Sequence, residues 1–328
     1  VTYSPAAPTG ATPPNAPLPA AKRSKPVLSI GDRVFSRAAV FAGSMILVTL
    51  GAVAVFLIVR SIPAFSATSE SASLLTGNFW QYVGPLVFGT VWAAALALAF
   101  ALPLSIGIAL FISHYAPRRL AQALGYVVDL LAAVPSVVFG LWGIGVLAPA
   151  VRPIYVWLNE NLGWIPFFGG VTSGTGRTIL TAAIVLAVMI LPIMTAICRE
   201  VFLQAPKLQE EAALALGATR WEMIKMAVLP FGRPGIVSAA MLGLGRALGE
   251  TMAVAMVLSA TGLMSFKLLT SENPSTIAAN IALSFPEAYG ENINILIATG
   301  LILFIVTFLV NALARWIVSR RAEFRESN

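Results

Sequence analysis

The sequence predicts an all-α, polytopic integral membrane protein with six transmembrane helices. Three observations carry that expectation. Of the 328 residues, 58% are apolar and only 11% are charged, whereas soluble domains carry about a quarter charged residues. Six apolar stretches, about 38–59, 83–111, 127–151, 179–198, 235–262 and 295–318, each reach the ~20 residues that a helix needs to cross the hydrocarbon core. The Lys and Arg residues fall unevenly between those stretches. A large soluble helical core does not call for six such runs in one chain.

Taken in chain order, residues 1–29 are rich in Pro, Ala and Ser, with Lys22, Arg23 and Lys25 and no apolar periodicity. Residues 1–34 are therefore expected to form a disordered cytoplasmic tail. No short apolar core follows a charged start directly, so no signal peptide is expected. The six-span body is expected over 35–320 and a short C-terminal tail over 321–328. Pro103, Pro135 and Pro192 lie inside apolar stretches. A membrane bundle tolerates them because neighbouring helices satisfy the freed backbone groups.

Orientation follows from basic residues, which favour cytoplasmic loops. With the N-terminus inside, the inner segments hold 16 of them: Lys22, Arg23, Lys25, Arg33, Arg37, Arg118, Arg119, Arg199, Lys207, Arg220, Lys225, Arg233, Arg315, Arg320, Arg321 and Arg325. The outer segments hold 4: Arg60, Arg152, Arg177 and Lys267. That bias predicts both termini in the cytoplasm. The formal charge of +7 is thus accounted for by topology. The basic residues form no patch interleaved with aromatics, which excludes a nucleic-acid interface.

The outer loops are long and nearly uncharged. In 274–288, Ile277, Ile281 and Phe285 recur at helical spacing, which predicts a short amphipathic helix lying on the outer face. The 164–176 loop carries Trp, Phe and several Gly. Both segments fit a docking surface for an external partner, and equally fit interfacial anchors. The lone Cys198 excludes an intrachain disulfide, suggests no metal framework, and reads as a packing residue. His114, beside Arg118 and Arg119, reads as a solvated loop residue. No metal site is expected.

The inner loop over 200–234 is the most informative segment. Its core is Glu211-Ala212-Ala213-Leu214-Ala215-Leu216-Gly217, followed by Leu229-Pro230. It reads as helix, turn, helix. Pro206 opens the first helix and Gly217 suits the left-handed residue that ends it. Thr219 and Glu222 form a capping box for the second helix, which Pro230 closes. No nucleotide site accompanies it. Gly169 and Gly174 imitate a phosphate-binding loop, but Thr175 stands where the lysine belongs. The run Gly243-Leu244-Gly245-Arg246-Ala247-Leu248-Gly249 misses the dinucleotide fingerprint by one residue.

The fifth stretch contains Arg246 and Glu250. An ionisable residue at mid-membrane costs about 2.5–3.5 kcal/mol on insertion scales, and the default reading is a polar pathway facing the bundle interior. Spacing of four residues places the two on one helix face. A structural internal ion pair is the bland alternative. Arg offers planar, bidentate donors that match an oxyanion, and Glu250 is able to accept a hydrogen bond from a monohydrogen oxyanion. Gly243, Gly245 and Gly249 are expected to let neighbouring helices approach. Asp129 reads as a helix-terminal carboxylate at the inner interface.

Two resemblances sharpen this reading. The 200–234 loop resembles the EAA motif of ABC importer permeases through Glu211, Ala212, Ala213, Gly217, Leu229 and Pro230, with Ala227 where the family usually has Ile. The run from Gly245 to Val254, Gly-Arg-Ala-Leu-Gly-Glu-Thr-Met-Ala-Val, resembles the signature of phosphate importer permeases of the PstC type. So does Val134-Pro135-Ser136-Val137-Val138-Phe139-Gly140-Leu141, which the paired PstA type shares. The resemblance covers about residues 35–320. It implies a type I ABC importer permease fold and a non-catalytic membrane subunit of a phosphate importer. It implies no cofactor in this chain, because ATP is bound by a separate subunit. The implied partners are a second permease of PstA type, two copies of an ATPase of PstB type, an extracytoplasmic phosphate-binding protein of PstS type and the bilayer. Arg246 and Glu250 are then the substrate-pathway residues, and the 200–234 loop couples to the ATPase. A permease for sulfate or molybdate is the nearest alternative. An ion-coupled secondary transporter predicts inverted repeats with broken helices, which the sequence does not display, and leaves the inner loop without a task. A non-transporting scaffold leaves Arg246 and Glu250 unexplained.

Overall fold

The computed structural model describes residues 30–326 apart from 70, 71 and 76. Most of the expected N-terminal tail, and residues 327 and 328, lie outside the described residues. The chain forms two units, Val1–Val53 and Ala54–Asn328. The described part of the first is the opening of helix α1 (Ile30–Phe65), where side chains such as Phe41, Ile46 and Leu47 are exposed. α1 starts before the expected tail ends. Asp32 in its first turn complements the helix dipole.

The second unit is built around α2 (Phe79–Leu110) and α6 (Ile179–Leu203), which pack against each other along much of their length. Small residues on α2 (Ala93, Ala97 and Ala101) meet larger ones on α6 (Leu186, Ile190 and Met194), all buried in one cluster. Small residues let helix backbones approach closely where lipid removes the hydrophobic incentive to associate. α9 (Leu229–Leu248) packs on the same α6. Gly232, Gly235 and Gly243 mark its track, since an added Cβ would press into Phe202, Val201 and Met194 respectively. α12 (Glu291–Glu326) closes against α2 and α9. It continues past the expected end of its span, because residues 319–326 contain neither Gly nor Pro to stop it.

Among the described residues, six helical runs are long and apolar enough to cross a membrane: Gly31–Phe65, Phe79–Tyr115, Ser136–Leu162, Ile179–Leu203, Arg220–Leu248 and Glu291–Trp316. The number matches expectation, but two spans are cut differently. The expected third span, 127–151, is broken at Pro135. α3 (Arg118–Ala132) ends before it, and α4 (Ser136–Trp142) begins after it. Proline removes an N–H and pushes the preceding residue out of helical geometry. The span itself is α4, a π-turn at Gly143–Leu147, and α5 (Ala148–Leu162). Arg152, expected in an outer loop, therefore lies within α5.

The fifth span is also shifted. α7 (Lys207–Ala215) and α8 (Arg220–Met223) form the expected two arms, but Pro230 does not close the second. A π-turn at Ile224–Val228 runs straight into α9, with Pro230 in its first turn. There a missing N–H disturbs nothing that the helix requires. The second arm is thus rigidly continuous with the span. The span stops at Leu248, and a short helix α10 (Met252–Val257) follows. The expected helix in 274–288 is α11 (Ile277–Ser284), and its first turn is tucked against the bundle while Leu283 stays exposed. Ile277, Ala278 and Ala279 are buried, and the Ile277 N–H donates to Thr90 Oγ1 of α2 (2.9 Å).

Candidate functional site

The break after Leu248 is the first place where chemistry concentrates. Gly249 ends α9, and the Glu250 N–H reaches back only weakly to Ala247 O (3.4 Å). Glu250 then turns its side chain forward. The Ala253 N–H donates to Glu250 Oε1 (3.1 Å). A carboxylate here satisfies an orphan N–H and faces the positive end of the α10 dipole. Glu250 is buried, at 9% exposure.

The geometry differs from the single helix face expected for Arg246 and Glu250. Four-residue spacing places side chains together only while the helix continues, and here it ends between them. No ion pair joins the two among the described residues. Arg246 lies in the last turn of α9, half-buried, with its Nε buried and lacking a hydrogen-bond partner. One donor of a partly exposed guanidinium is thus left without a protein partner, which is unfavourable for a buried N–H. Of the glycines expected to bring helices together, Gly243 does so against Met194. Gly245 and Gly249 are exposed, and no neighbouring helix crowds either.

α10 is held at both ends and along one side. Arg177 donates from Nη2 to Met256 O (3.0 Å) and from Nε to Val257 O (3.4 Å). A cation at a helix C-terminus complements the dipole. Asn273 ties the surrounding loops: its Nδ2 donates to Ser259 O (3.1 Å), and its Oδ1 accepts from the Ile179 N–H (3.0 Å). Along the side, α10 packs on α4. A Cβ at Gly140 would come to 3.0 Å from both Ala253 Cα and Met256 Sδ. A Cβ at Gly143 would press into Val185 and Val257. Arg177, Asn273 and Gly143 escaped the sequence reading, because the first two act across about 80–100 positions and no local pattern announces the partnership.

The second concentration is the elbow over 200–234. Gly217 has φ +86°, the left-handed geometry in which glycine carries no Cβ penalty. The Ala218 N–H donates to Ala213 O (3.2 Å) and the Gly217 N–H to Leu214 O (3.0 Å), which is the Schellman pair that closes a helix C-terminus. Two residues on, the Thr219 N–H donates to Glu222 Oε2 (2.8 Å) and the Glu222 N–H to Thr219 Oγ1 (3.3 Å). The expected capping box is therefore present. Glu211 and Ala212 are exposed, Ala213 is half-buried, and Leu229 and Pro230 lie at the root of the span. Leu208 and Leu216 stand 80% and 90% exposed at the two ends of α7, while Met223, Ile224, Ala227 and Val228 root the other arm in the core.

Two further residues, His114 and Asp129, behave differently from expectation, and Cys198 behaves as expected. His114 is not a solvated loop residue. It sits in a π-turn at Phe111–Tyr115, its Nδ1 lies 2.6 Å from Ser113 Oγ, and its Nε2 lies 3.6 Å from Glu210 Oε1 of the elbow. Asp129 lies within α3 rather than capping it. Cys198 is fully buried in the main core, as a packing residue. In the 164–176 loop, Trp164 and Val171 are exposed while Phe167 stacks near Trp92 of α2. Among the described residues no cluster of His, Cys, Asp and Glu is arranged to hold a metal.

Comparison with known proteins places this arrangement. Residues 101–323 match the family model described as "Binding-protein-dependent transport system inner membrane component". The chain is 49% identical over 302 residues to "Phosphate transport system permease protein PstC 2" of Mycobacterium tuberculosis, covering 87% of this chain and 91% of that protein. It is 39% identical over 320 residues to the PstC protein of Mesorhizobium japonicum, covering 92% and 96%. Among solved structures, a bacterial ABC transporter involved in the import of alginate shares the fold, with a TM-score of 0.57 at 18% identity over 88% of this chain and 99% of that one. The six spans, the capped elbow and these similarities agree: the chain belongs to the binding-protein-dependent transport family of ABC inner membrane components, and within it to the group of PstC permeases.

Proposed function

We propose that this chain forms half of a phosphate path across the membrane, with Arg246 and Glu250 as the charges that phosphate meets along it. The observation that carries the reading is the interruption of the fifth span at Gly249–Thr251, which leaves Arg246 with an unpartnered, buried Nε beside exposed Gly245 and Gly249. A guanidinium in low dielectric attracts an oxyanion strongly and offers it paired donors. Glu250, fixed as the cap of α10, keeps the site from becoming a deep cationic trap and accepts a hydrogen from a protonated oxyanion. The names of the PstC relatives support phosphate as that anion.

The chain is a non-catalytic component of an ABC transporter. ATP is bound by separate subunits, two copies of a PstB-type ATPase, on which the elbow at Glu211, Ala212, Ala213 and Gly217 docks. Leu229 and Pro230 join that elbow to the span, so ATPase closure moves the span. A PstA-type permease supplies the other half of the path, and a PstS-type binding protein delivers phosphate from outside. Both termini lie in the cytoplasm, as the excess of basic residues on that side favours, an excess that moving Arg152 into α5 only enlarges.

The test is phosphate uptake in whole cells carrying Arg246→Ala, with co-purification of the partner subunits as the control for assembly. Loss of uptake with assembly intact is expected. Normal uptake would remove Arg246 from the path, and retained uptake of sulfate in place of phosphate would reassign the substrate.

A further inference from the structure

A second cationic site lies outside the fifth span, in a pocket of about 420 Å³ between α3, the π-turn at Phe111–Tyr115 and the end of α6. Ser113, Arg118, Gln122, Tyr126, Asp129 and Arg199 line it. Arg199 is half-buried with its Nε buried, and it forms no hydrogen bond or ion pair with any described residue. Asp129 and Arg118 face the same pocket without pairing with Arg199 or with each other. Arg118 and Asp129 are exposed and met by water, so the unmet demand is that of the buried Arg199 Nε, since a buried donor is favourable only when it is hydrogen-bonded.

The residue types define the ligand. Two guanidinium groups match the oxygens of a phosphate group. Asp129, exposed at the rim, accepts only, so a ligand that also brings a hydroxyl gains a further contact. Gly125 sets the geometry: a Cβ there would collide with Arg199 Nη1, so the guanidinium lies against the α3 backbone. The mouth of the pocket is amphipathic. Tyr126 is 75% exposed, followed by exposed Val127 and Leu130, on a helix that opens with Arg118 and Arg119. Tyrosine beside apolar residues and arginines marks the level of lipid headgroups.

We propose that this pocket binds a phosphate group that carries a hydroxyl donor, supplied either by the phosphoglycerol headgroup of an anionic lipid or by free inorganic phosphate. The proposal needs only that the chain spans a membrane, and stands apart from the role of Arg246. The intact transporter, purified and delipidated in detergent, is given phosphatidylglycerol or phosphatidylcholine and weighed by native mass spectrometry. In parallel it is dialysed against radiolabelled phosphate. Arg199→Gln and Arg118→Gln are each expected to lower retention of the preferred ligand by about ten-fold or more, the scale of one charge-assisted contact. Arg118 is exposed, so its replacement decides the matter even if Arg199→Gln fails to assemble. The difference between wild type and Arg118→Gln also separates this pocket from the fifth-span charges. Loss of phosphatidylglycerol alone assigns the site to lipid, and loss of labelled phosphate alone assigns it to the free ion. Equal retention of both ligands by wild type and Arg118→Gln overturns the proposal, as does equal binding of phosphatidylcholine and phosphatidylglycerol with no uptake of labelled phosphate.

Discussion

The Arg177 guanidinium donates to the backbone carbonyl of Met256 (3.0 Å), and so holds the far end of the short helix whose near end Glu250 caps. A helix of six residues cannot hold itself together in isolation. Its two ends are instead fixed by side chains from elsewhere, with a carboxylate at the positive pole and a guanidinium at the negative one. The position of Glu250 along any path is therefore set in part by a residue 73 positions earlier in the chain.

Arg177→Ala is expected to loosen α10. Hydrogen bonds from a charged group contribute about 1.5–3 kcal/mol each at most, and the longer contact to Val257 O counts for less. Amide exchange at residues 252–258 should rise well above that of α6, and phosphate uptake should fall without loss of assembly. Exchange rates unchanged from wild type at those residues would show that α4 packing alone holds the helix.

Glu250→Gln and Glu250→Ala separate charge from capping. Glutamine retains a carbonyl oxygen able to accept from the Ala253 N–H, whereas alanine leaves that N–H orphaned at about 1 kcal/mol. Both variants should lose uptake if the charge matters, but only Glu250→Ala should also raise exchange at residues 252–255. Full uptake by Glu250→Gln would assign Glu250 a purely structural role.

These two residues also show what the sequence could and could not reveal. The spans were legible because apolar length is a local property, and the capping box and Gly217 because each acts within a few residues. Pro135 was visible too, yet its effect was misjudged. Apolar composition on both sides read as one span, although residues 118–132 form a separate amphipathic helix. The break at Gly249 was hidden for a related reason: Gly-Glu-Thr interrupts hydropathy only briefly, and Glu250 looked like a partner for Arg246 rather than a cap. His114 was placed in solvent because its partner, Glu210, lies 96 positions away. Long-range partnerships of this kind leave no trace in spacing.

Gly140→Val is expected to displace α10 without touching a charged group. Its side chain would press into Ala253 and Met256, where a Cβ alone already comes to 3.0 Å. Overpacking of a close helix contact costs about 1–3 kcal/mol. Uptake should drop while the complex still forms, and Gly140→Ala should be milder because the Met256 side chain is able to swing away. Equal uptake by wild type and Gly140→Val would mean that the position of α10 does not govern transport.

The elbow offers the cleanest separation of folding from coupling. Leu216 is 90% exposed and belongs to no core, so Leu216→Glu removes an apolar contact surface with almost no effect on the chain's own stability. Gly217→Val acts oppositely: at φ +86° a β-branched residue is strained by about 1–2 kcal/mol, and the Schellman closure of α7 should fray. If the elbow docks on the ATPase through its exposed apolar ends, Leu216→Glu should reduce ATPase co-purification at unchanged thermal stability. Gly217→Val should lower stability of the elbow and stimulated hydrolysis together. Because the second arm runs unbroken through the π-turn at Ile224–Val228 into α9, neither variant should alter amide exchange within α9 itself. Co-purification and stimulated ATP hydrolysis at wild-type levels in both variants would sink the docking assignment, since Leu216 and Gly217 form the exposed corner of the capped elbow that runs into the fifth span.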